Sequence, residues 1–230
     1  MGTMTRAEIQ TEVLTNLNNL QDVSDTDAAR WINHAYSHLT HPSVHEFEDL
    51  AATYDIVLVS GTASYSLAAA TVGYRILAIR SASYFAAASG SITPNTRRRT
   101  LDPRAVQWYD SRQHPTMAEP SNYVVGEDQT ILISNTPGNT NTVRLRVFRE
   151  AESLDETTSV TVLPEYFDEV LVMGAQAFFE YKLGDRDSAN ETFQMYGNLI
   201  ANASQKDVLE GQNWGYETQL TATPVMGISS

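Results

Sequence analysis

Apolar residues near both ends of the chain recur every three or four positions, which predicts helices. A Thr-x-x-Glu sequence at residues 5–8 has the form of a capping box and predicts the start of the first helix. A second helix is predicted to start at Ser24 and to stop before Pro42, which cannot continue it. The apolar stripes of these helices are Ile9, Val13, Leu17 and Leu20, and then Ala28, Trp31, Ile32, Ala35, Tyr36 and Leu39.

Helical spacing returns after Leu163, where Pro164 occupies a first-turn position that tolerates proline. Gly184 is predicted to end this third helix and Asp187 to cap a fourth, and the two should pack as an antiparallel pair. Their apolar stripes are Phe167, Val170, Leu171, Gly174, Phe178 and Tyr181, and then Ala189, Phe193, Tyr196, Leu199, Ile200 and Ala203.

The middle of the chain contains short runs in which apolar and polar residues alternate, as they do in strands. Residues 55–59 and 63–67 flank a Ser-Gly-Thr turn and are predicted to pair as a hairpin. The strand at 142–149 alternates three apolar residues with Arg144 and Arg146, so one of its faces is apolar and the other cationic. The other predicted elements are strands at 74–84, 122–125 and 130–134, a soft polar region at 86–99 and a short helix at 101–112.

These patterns predict an α+β protein. The N- and C-terminal helices, residues 1–50 and 163–210, should form a helical bundle around a central, antiparallel β-rich insertion at 51–162. Residues 211–230 are rich in Thr, Ser and Gly and have too little apolar content to fold alone. We therefore predict a flexible, extended C-terminal tail that is ordered by a partner or not at all.

Composition excludes several chemistries. The chain of 230 residues has no cysteine, so it has no thiol nucleophile, thiolate zinc site, iron–sulfur cluster or disulfide. This composition fits synthesis in a reducing cytoplasm. No apolar run is long enough for a membrane helix, and the N-terminal residues lack a signal core, so neither a membrane span nor export by a signal peptide is predicted.

The net charge of −13 is spread unevenly along the chain. Residues 1–74 hold 2 basic and 9 acidic side chains, residues 75–149 hold 10 and 5, and residues 150–230 hold 3 and 14. The chain is therefore acidic at both ends and basic in the middle. Of the 15 basic residues 13 are arginines, whose planar, permanently charged side chains suit protein interfaces.

Four histidines form the most suggestive metal pattern. His34, His38, His41 and His45 are spaced by four, three and four residues, which would align imidazoles on one helical face for zinc. Pro42 interrupts the helix between the third and the fourth, however, and no carboxylate ligand lies among them. A solvated or interface histidine stripe is favoured over a metal site, and no cofactor is predicted.

Enzymatic motifs are missing. There is no Gly-x-Ser-x-Gly elbow, no Gly-x-Gly-x-x-Gly sequence and no glycine-rich loop before a lysine, which disfavours a hydrolase or a nucleotide enzyme. The carboxylate pairs Asp185 with Asp187 and Glu165 with Asp168 stand at predicted helix starts, where acids favour the helix dipole. The cluster at 97–99 is three consecutive arginines, and a solvated loop or an acidic protein neighbour is favoured over DNA, which the acidic chain repels at long range.

The order of these motifs resembles the adaptor, or head–tail connector, proteins of tailed bacteriophages. Four sequences carry the resemblance, with Asp-Ser-Ala at 187–189 downstream: DAARWINHAY at 27–36, GTASYSL at 61–67, EPSNY at 119–123 and LPEYF at 163–167. Together with the first capping box they span about residues 5 to 205, nearly the whole chain.

This resemblance implies a structural virion protein without enzymatic activity or cofactor. It implies a homo-oligomeric ring, usually twelvefold, that lies beneath the portal protein in the virion neck and receives a tail or nozzle protein. Double-stranded DNA would pass through the ring without sequence-specific binding. Such a ring would be made and assembled in the host cytoplasm, and no membrane is involved.

Two sets of site residues follow from this expectation. In the family a C-terminal extension docks onto the portal, and the matching candidates here are Trp214, Tyr216 and Leu220, because aromatic residues dominate interface energies. Contacts between neighbouring subunits are expected where a basic sheet region meets an acidic helical pair. The candidate interface residues are Arg97, Arg98, Arg99, Arg144 and Arg146 on one subunit and Glu165, Asp168 and Glu169 on the next.

Two other interpretations remain open. Another phage head-closure or tail-tube component would share the β-rich middle and the polar tail but would not recognise the portal. A carbohydrate-binding or carbohydrate-active protein would use Trp108, Tyr109, Tyr123 and Trp214 as stacking platforms, although aromatic residues spread in this way are more often core.

Overall fold

The computed structural model describes residues 4–17, 24–111, 118–126, 128–135 and 140–219, with side chains described as far as residue 206. Contacts divide the chain into two units. We call residues 1–39 with 153–230 the helical unit and residues 40–152 the sheet unit. The helices are α1 (Arg6–Asn16), α2 (Asp25–Leu39), α3 (Ala69–Val72), α4 (Val106–Asp110), α5 (Asp168–Leu183) and α6 (Arg186–Gln219), with single 3-10 turns at Glu48–Leu50, Ser89–Ser91 and Glu165–Phe167.

The predicted starts of the first two helices are confirmed. The Thr5 hydroxyl accepts a hydrogen bond from the Glu8 backbone N–H at 3.3 Å, and the Glu8 carboxylate accepts one from the Thr5 N–H at 2.7 Å, which completes the capping box. The Ser24 hydroxyl accepts from the backbone N–H of Asp27 in the same way. Gly184 ends α5 with φ of +87°, a left-handed conformation that glycine adopts without strain.

The predicted cap of the fourth helix is wrong. α6 begins at Arg186, and the Asp185 carboxylate accepts a hydrogen bond from the Ser188 N–H at 3.2 Å, so Asp185 and not Asp187 caps it. The third helix, α5, begins only at Asp168, after a 3-10 turn.

The helices of this unit pack on one another through their apolar stripes, α1 and α2 against α5, and α5 against α6. Residues 153–162, which the sequence places with the β-rich insertion, hydrogen bond to α1 and α2 instead. Asn33 of α2 exchanges two hydrogen bonds with the backbone of Leu154, and the Tyr36 hydroxyl accepts from the N–H of Val162. The stripe residues buried in this core include Ile9, Val13, Ile32, Ala35, Leu39, Phe167, Leu171, Ala189 and Tyr196.

The sheet unit contains one sheet of seven strands in the order β1-β7-β3-β4-β5-β6-β2. All neighbouring pairs are antiparallel except β4 and β5, which are parallel. Its core is formed by Ile56, Leu58, Leu67, Tyr84, Leu101, Tyr123, Ile131, Ile133, Val143, Leu145 and Val147. The strands are β1 (Ala51–Val57), β2 (Ser64–Ser66), β3 (Ile76–Phe85), β4 (Arg98–Pro103), β5 (Asn122–Gly126), β6 (Thr130–Ile133) and β7 (Thr142–Arg149).

The predicted hairpin between residues 55–59 and 63–67 is wrong. The turn forms, since the Thr62 N–H donates to the Val59 carbonyl at 3.0 Å, but the strands on either side of it pair elsewhere. β1 pairs with β7, where Ile56 lies opposite Val143, and β2 pairs with β6. Pairing with distant strands is more stable than pairing of β1 with β2, because it buries the apolar face of each strand. An isolated pair of short strands would leave that face in water.

The short segment that connects β1 to β2 also shows that the sheet is curled. β1 and β2 stand at the two ends of the strand order, yet only residues 58–63 join them. Strands spaced about 4.8 Å apart would separate the ends of a flat seven-stranded sheet by roughly 29 Å. The link from Val57 to Ser64 spans at most about 25 Å. The sheet therefore curves so that its edge strands approach each other.

Two further predictions need correction. The short helix predicted at 101–112 is confined to α4, because residues 101–103 belong to β4, which pairs with both β3 and β5. Arg98 and Arg99 also lie in β4, so only Arg97 of the arginine cluster remains in the preceding loop.

The final helix is longer than predicted. α6 continues to Gln219, past position 211, where the sequence analysis begins the tail. Residues 220–230 lie outside the described part of the chain. Among the described residues, no helix combines the length and apolar character needed to cross a membrane.

Candidate interaction surfaces

One face of the sheet carries arginines because β7 alternates. Arg144 and Arg146 lie on the same face of β7, two residues apart, opposite Ser83 and Ser81 of β3. Their cross-strand neighbours on β1 are Asp55 for Arg144 and Thr53 for Arg146. We call this surface the cationic sheet face, and define it by Arg98, Arg144, Arg146 and Phe85.

Arg144 already has a partner within the sheet. Its Nε and Nη2 donate to the two carboxylate oxygens of Asp55 at 2.7 and 2.8 Å, a bidentate pair, and the Ser89 hydroxyl donates to the same carboxylate at 2.8 Å. The hydrogen bonds from Arg144 lower the pKa of Asp55 below its ordinary value, against the opposing effect of partial burial. This ion pair joins β1 to β7.

The Asp55 pair predicts a pH dependence of stability. Because its pKa is lowered in the folded state, Asp55 adds stability that is complete above its unfolded pKa of about 4 and is lost as the pH falls through the folded value. Asp55→Asn should lower the free energy of unfolding by about 1–2 kcal/mol at neutral pH and by less at pH 3. Urea unfolding at both pH values measures this. Glu191→Gln, which changes an exposed carboxylate on α6, is the control. If Asp55→Asn lowers the free energy of unfolding equally at both pH values, the predicted pH dependence is wrong.

The three consecutive arginines do not act as one cluster. Arg98 lies opposite Phe85 in the sheet, and its guanidinium stands 5.9 Å from the Phe85 ring centre and donates to the Ser83 hydroxyl. Arg99 follows it in the strand and therefore points to the other face. Arg97 forms an ion pair of 3.0 Å with Glu119. The structure thus brings only Arg98 together with Arg144 and Arg146.

Arg146 is the exposed centre of the cationic sheet face. Within the described residues no carboxylate lies within ion-pair distance of its guanidinium, whereas Arg144, Arg97 and Arg80 each have one. Among the arginines of the cationic sheet face, Arg146 is therefore the one best placed to meet a group on another molecule.

The predicted acidic partners lie in the helical unit. Glu165 and Glu169 are exposed at the start of α5. Asp168 is only 4% exposed, and its carboxylate accepts a hydrogen bond from the backbone N–H of Met4 at 3.2 Å. Asp168 therefore acts inside the helical unit rather than on its surface. The candidate docking residues Trp214 and Tyr216 belong to α6, and Leu220 lies outside the described residues.

A surface that the sequence analysis missed is a groove of about 680 Å³ between α2, α5 and α6. The ring of Phe178 belongs to its lining and stands 4.5 Å from His34 and 5.2 Å from Phe193 between ring centres. Arg30 stacks on Trp31 at 5.6 Å. We call this cavity between α2, α5 and α6 the aromatic groove. It is lined by Arg30, Trp31, Asn33, His34, Ser37, Phe178, Tyr181, Lys182 and Phe193.

The sequence contained a partial signal for this groove. The sequence predicts Trp31, Phe178 and Phe193 in buried stripes, but each is only half-buried, and Tyr181 is 59% exposed. Arg30 beside Trp31 and Lys182 beside Tyr181 place a charge next to an aromatic residue at both sites. Aromatic residues and arginine are enriched at surfaces that bind other proteins.

The four histidines do not share one helical face. α2 ends at Leu39, so His41 and His45 lie beyond the helix. His38 Nδ1 is 3.0 Å from the hydroxyl of Tyr196, whose pKa burial raises above its ordinary value, and His41 Nδ1 is 2.7 Å from the Ser43 hydroxyl. In the described part of the chain no group of three or more His, Asp or Glu side chains is placed to hold a metal ion.

One of the four aromatic residues proposed to stack on a sugar is not accessible. Tyr123 is buried in the sheet core, and Arg104 stacks on Trp108 at 5.5 Å. What the molecule displays instead are surfaces suited to other proteins: an arginine-bearing sheet face, exposed acids at the start of α5 and an aromatic groove. Arginine and aromatic residues of this kind are enriched at surfaces that bind other proteins.

Comparison with known proteins identifies the family. The sequence model of the SU10 adaptor protein family matches residues 4–219, so the chain belongs to this family. This confirms the resemblance to bacteriophage adaptors and makes the protein a structural component of a phage particle that interacts with other virion proteins. No match was found among curated proteins.

Proposed function

We propose that this protein forms a homo-oligomeric ring that connects the portal to the tail at the capsid vertex of a tailed bacteriophage. The observation that carries this proposal is the family match, which covers both units of the chain. The ring is twelvefold, lies in the virion neck and serves as a conduit for double-stranded DNA. A net charge of −13 suits a conduit, because an acidic wall repels the duplex.

The charge of the two units supports contact between neighbouring subunits. The helical unit carries 5 basic and 17 acidic residues, whereas the sheet unit carries 10 and 11 and places Arg98, Arg144 and Arg146 on one face. A ring joins two different surfaces of adjacent subunits. We therefore place Arg146, supported by Arg98 and Arg144, against Glu165 and Glu169 of the next subunit.

The C-terminal residues supply the portal contact in this proposal. Trp214, Tyr216 and Leu220 are the docking residues predicted from the sequence, as part of one extended tail. Because α6 continues to Gln219, Trp214 and Tyr216 belong to a helix. Leu220 and the residues after it carry no charged side chain and include Val225, Met226 and Ile228. We propose that this segment, residues 220–230, lies on the portal.

Electron microscopy of the protein mixed with the portal of the same virus tests the proposal. The full chain should form rings on the portal, and a chain ending at Gln219 should lose at least about tenfold in portal affinity. A chain whose residues 220–230 are replaced by Gly and Ser separates the role of side chains from that of length. If the full chain ignores the portal, a head-closure or tail-tube role replaces the adaptor role. If the shortened chain binds equally well, the docking segment is misassigned.

A further inference from the structure

α6 is much longer than the helix on which it packs. It runs over 34 residues, against 16 for α5, which corresponds to lengths of about 51 and 24 Å. The ammonium group of Lys206 lies 4.5 Å from the ring centre of Tyr166, just before α5 begins. Residue 206 is therefore level with the start of α5, and residues 207–219 continue for on the order of 20 Å beyond it. We call residues 207–219 the α6 extension.

The α6 extension has a distinct composition. It contains three acidic residues, two aromatic residues and no basic residue. Glu210, Trp214 and Glu217 are spaced by four and three residues, which places them on one face of the helix. This face therefore presents a tryptophan position between two carboxylate positions.

The aromatic groove has the complementary chemistry. Its aromatic lining is flanked by Arg30 and Lys182, two of the five basic residues of the helical unit. It opens beside Phe193, in the first part of α6, near the turn at Gly184 that joins α5 to α6. The groove and the α6 extension thus lie toward opposite ends of the same helix.

We propose that the α6 extension of one subunit binds in the aromatic groove of the next subunit, with Trp214 among the aromatic rings and Glu210 and Glu217 near Arg30 and Lys182. The occupant cannot come from the same chain, because the extension and Phe193 belong to one continuous helix. The contact joins two different surfaces, so it is heterologous, as a ring requires. The inference rests on the proposed ring and names a contact that holds it together.

A labelled peptide with the sequence of residues 207–219 tests the groove directly. It is titrated into the full-length Trp214→Ala protein, whose own extension lacks the anchor, and binding is followed by fluorescence polarisation. We expect saturable binding that weakens about tenfold or more when Arg30→Glu and Lys182→Glu are introduced together. A peptide with Trp214→Ala is the matched control and should bind at least about tenfold more weakly. Equal binding of both peptides, or binding unaffected by the groove changes, overturns the inference.

Charge exchange in the full chain gives a second test. Reversing the two cations of the groove should prevent assembly, as should Glu210→Lys with Glu217→Lys, and combining all four changes should restore it. Analytical ultracentrifugation measures the assembly, and circular dichroism verifies that each variant is folded. Loss of assembly without restoration in the combined variant counts against the contact.

These tests separate the inference from the proposed function. If Trp214→Ala still forms rings on the portal and the peptide does not bind, the groove contact is wrong and the adaptor role stands. If the peptide binds as expected but no ring forms on the portal, the contact is right and the adaptor role is wrong. If the groove variants assemble normally but lose the portal, the groove holds a portal segment, which overturns the inference.

Discussion

Replacing Gly174 by alanine is expected to lower the free energy of unfolding by about 1–3 kcal/mol. Gly174 lies on the buried face of α5, and a Cβ atom there would stand 2.7 Å from Cε2 and 3.0 Å from Cζ of Tyr196, and 3.3 Å from the Cβ of Ala35. These distances are shorter than van der Waals contact. The glycine therefore sets how closely α2, α5 and α6 approach.

The Tyr196 ring cannot move aside at low cost. Its side chain is buried, its hydroxyl is 3.0 Å from His38 Nδ1, and its ring contacts that of Phe178. Moving the ring would break the hydrogen bond or disturb the wall of the aromatic groove. The added methyl group must instead separate the helices, which loses packing.

Gly197→Ala is the matched control for Gly174→Ala. Gly197 is also a helical glycine, but a Cβ there would meet nothing within 4 Å. Alanine favours the helix more than glycine, so this change should raise the free energy of unfolding by about 0.5–1 kcal/mol. Urea unfolding followed by circular dichroism compares the two variants. If Gly174→Ala is as stable as the parent protein, the close packing at this position is refuted.

Arg146→Glu is expected to abolish ring assembly at concentrations where the parent protein forms rings. The change would set a carboxylate against Glu165 and Glu169 of the next subunit, and like charges brought together at an interface cost several kcal/mol. Each contact of the ring would carry this cost. The fold should be unaffected, because Arg146 is exposed and has no ion-pair partner among the described residues.

A control variant and a compensating variant accompany Arg146→Glu. Arg104→Glu makes the same change of charge at another exposed position of the sheet unit, and its rings should persist. Glu165→Arg with Glu169→Arg should restore assembly to the Arg146→Glu protein, because it re-creates opposite charges. Electron microscopy and ultracentrifugation report the rings. Rings that form normally with Arg146→Glu alone would show that the cationic sheet face does not lie between subunits.

Local signals predicted the helices well. The capping box at Thr5, the cap at Ser24 and the stop at Gly184 were all readable, because each depends on residues within a few positions of one another. The strand at 142–149 was readable for the same reason, since its alternation follows directly from the geometry of a strand. The family resemblance, which rests on the order of such motifs, was confirmed.

Pairing between distant segments could not be read in this way. The link between β1 and β2 looks like a hairpin, yet each strand pairs with one more than sixty residues away along the chain. Asp55 and Arg144, which form the bidentate pair, are 89 residues apart in sequence. No local pattern reports which strand will bury the apolar face of another, because that choice depends on the whole core.

The sequence by itself determined the starts of the first two helices, the alternation of β7, the charge of each region and the family. Only the tertiary structure decided which arginines have internal partners, that Asp168 is buried, and that half-buried aromatic residues of three helices form a groove. The physical reason is that periodicity and capping act over one or two turns of chain, whereas burial and ion pairing depend on neighbours that folding brings from elsewhere.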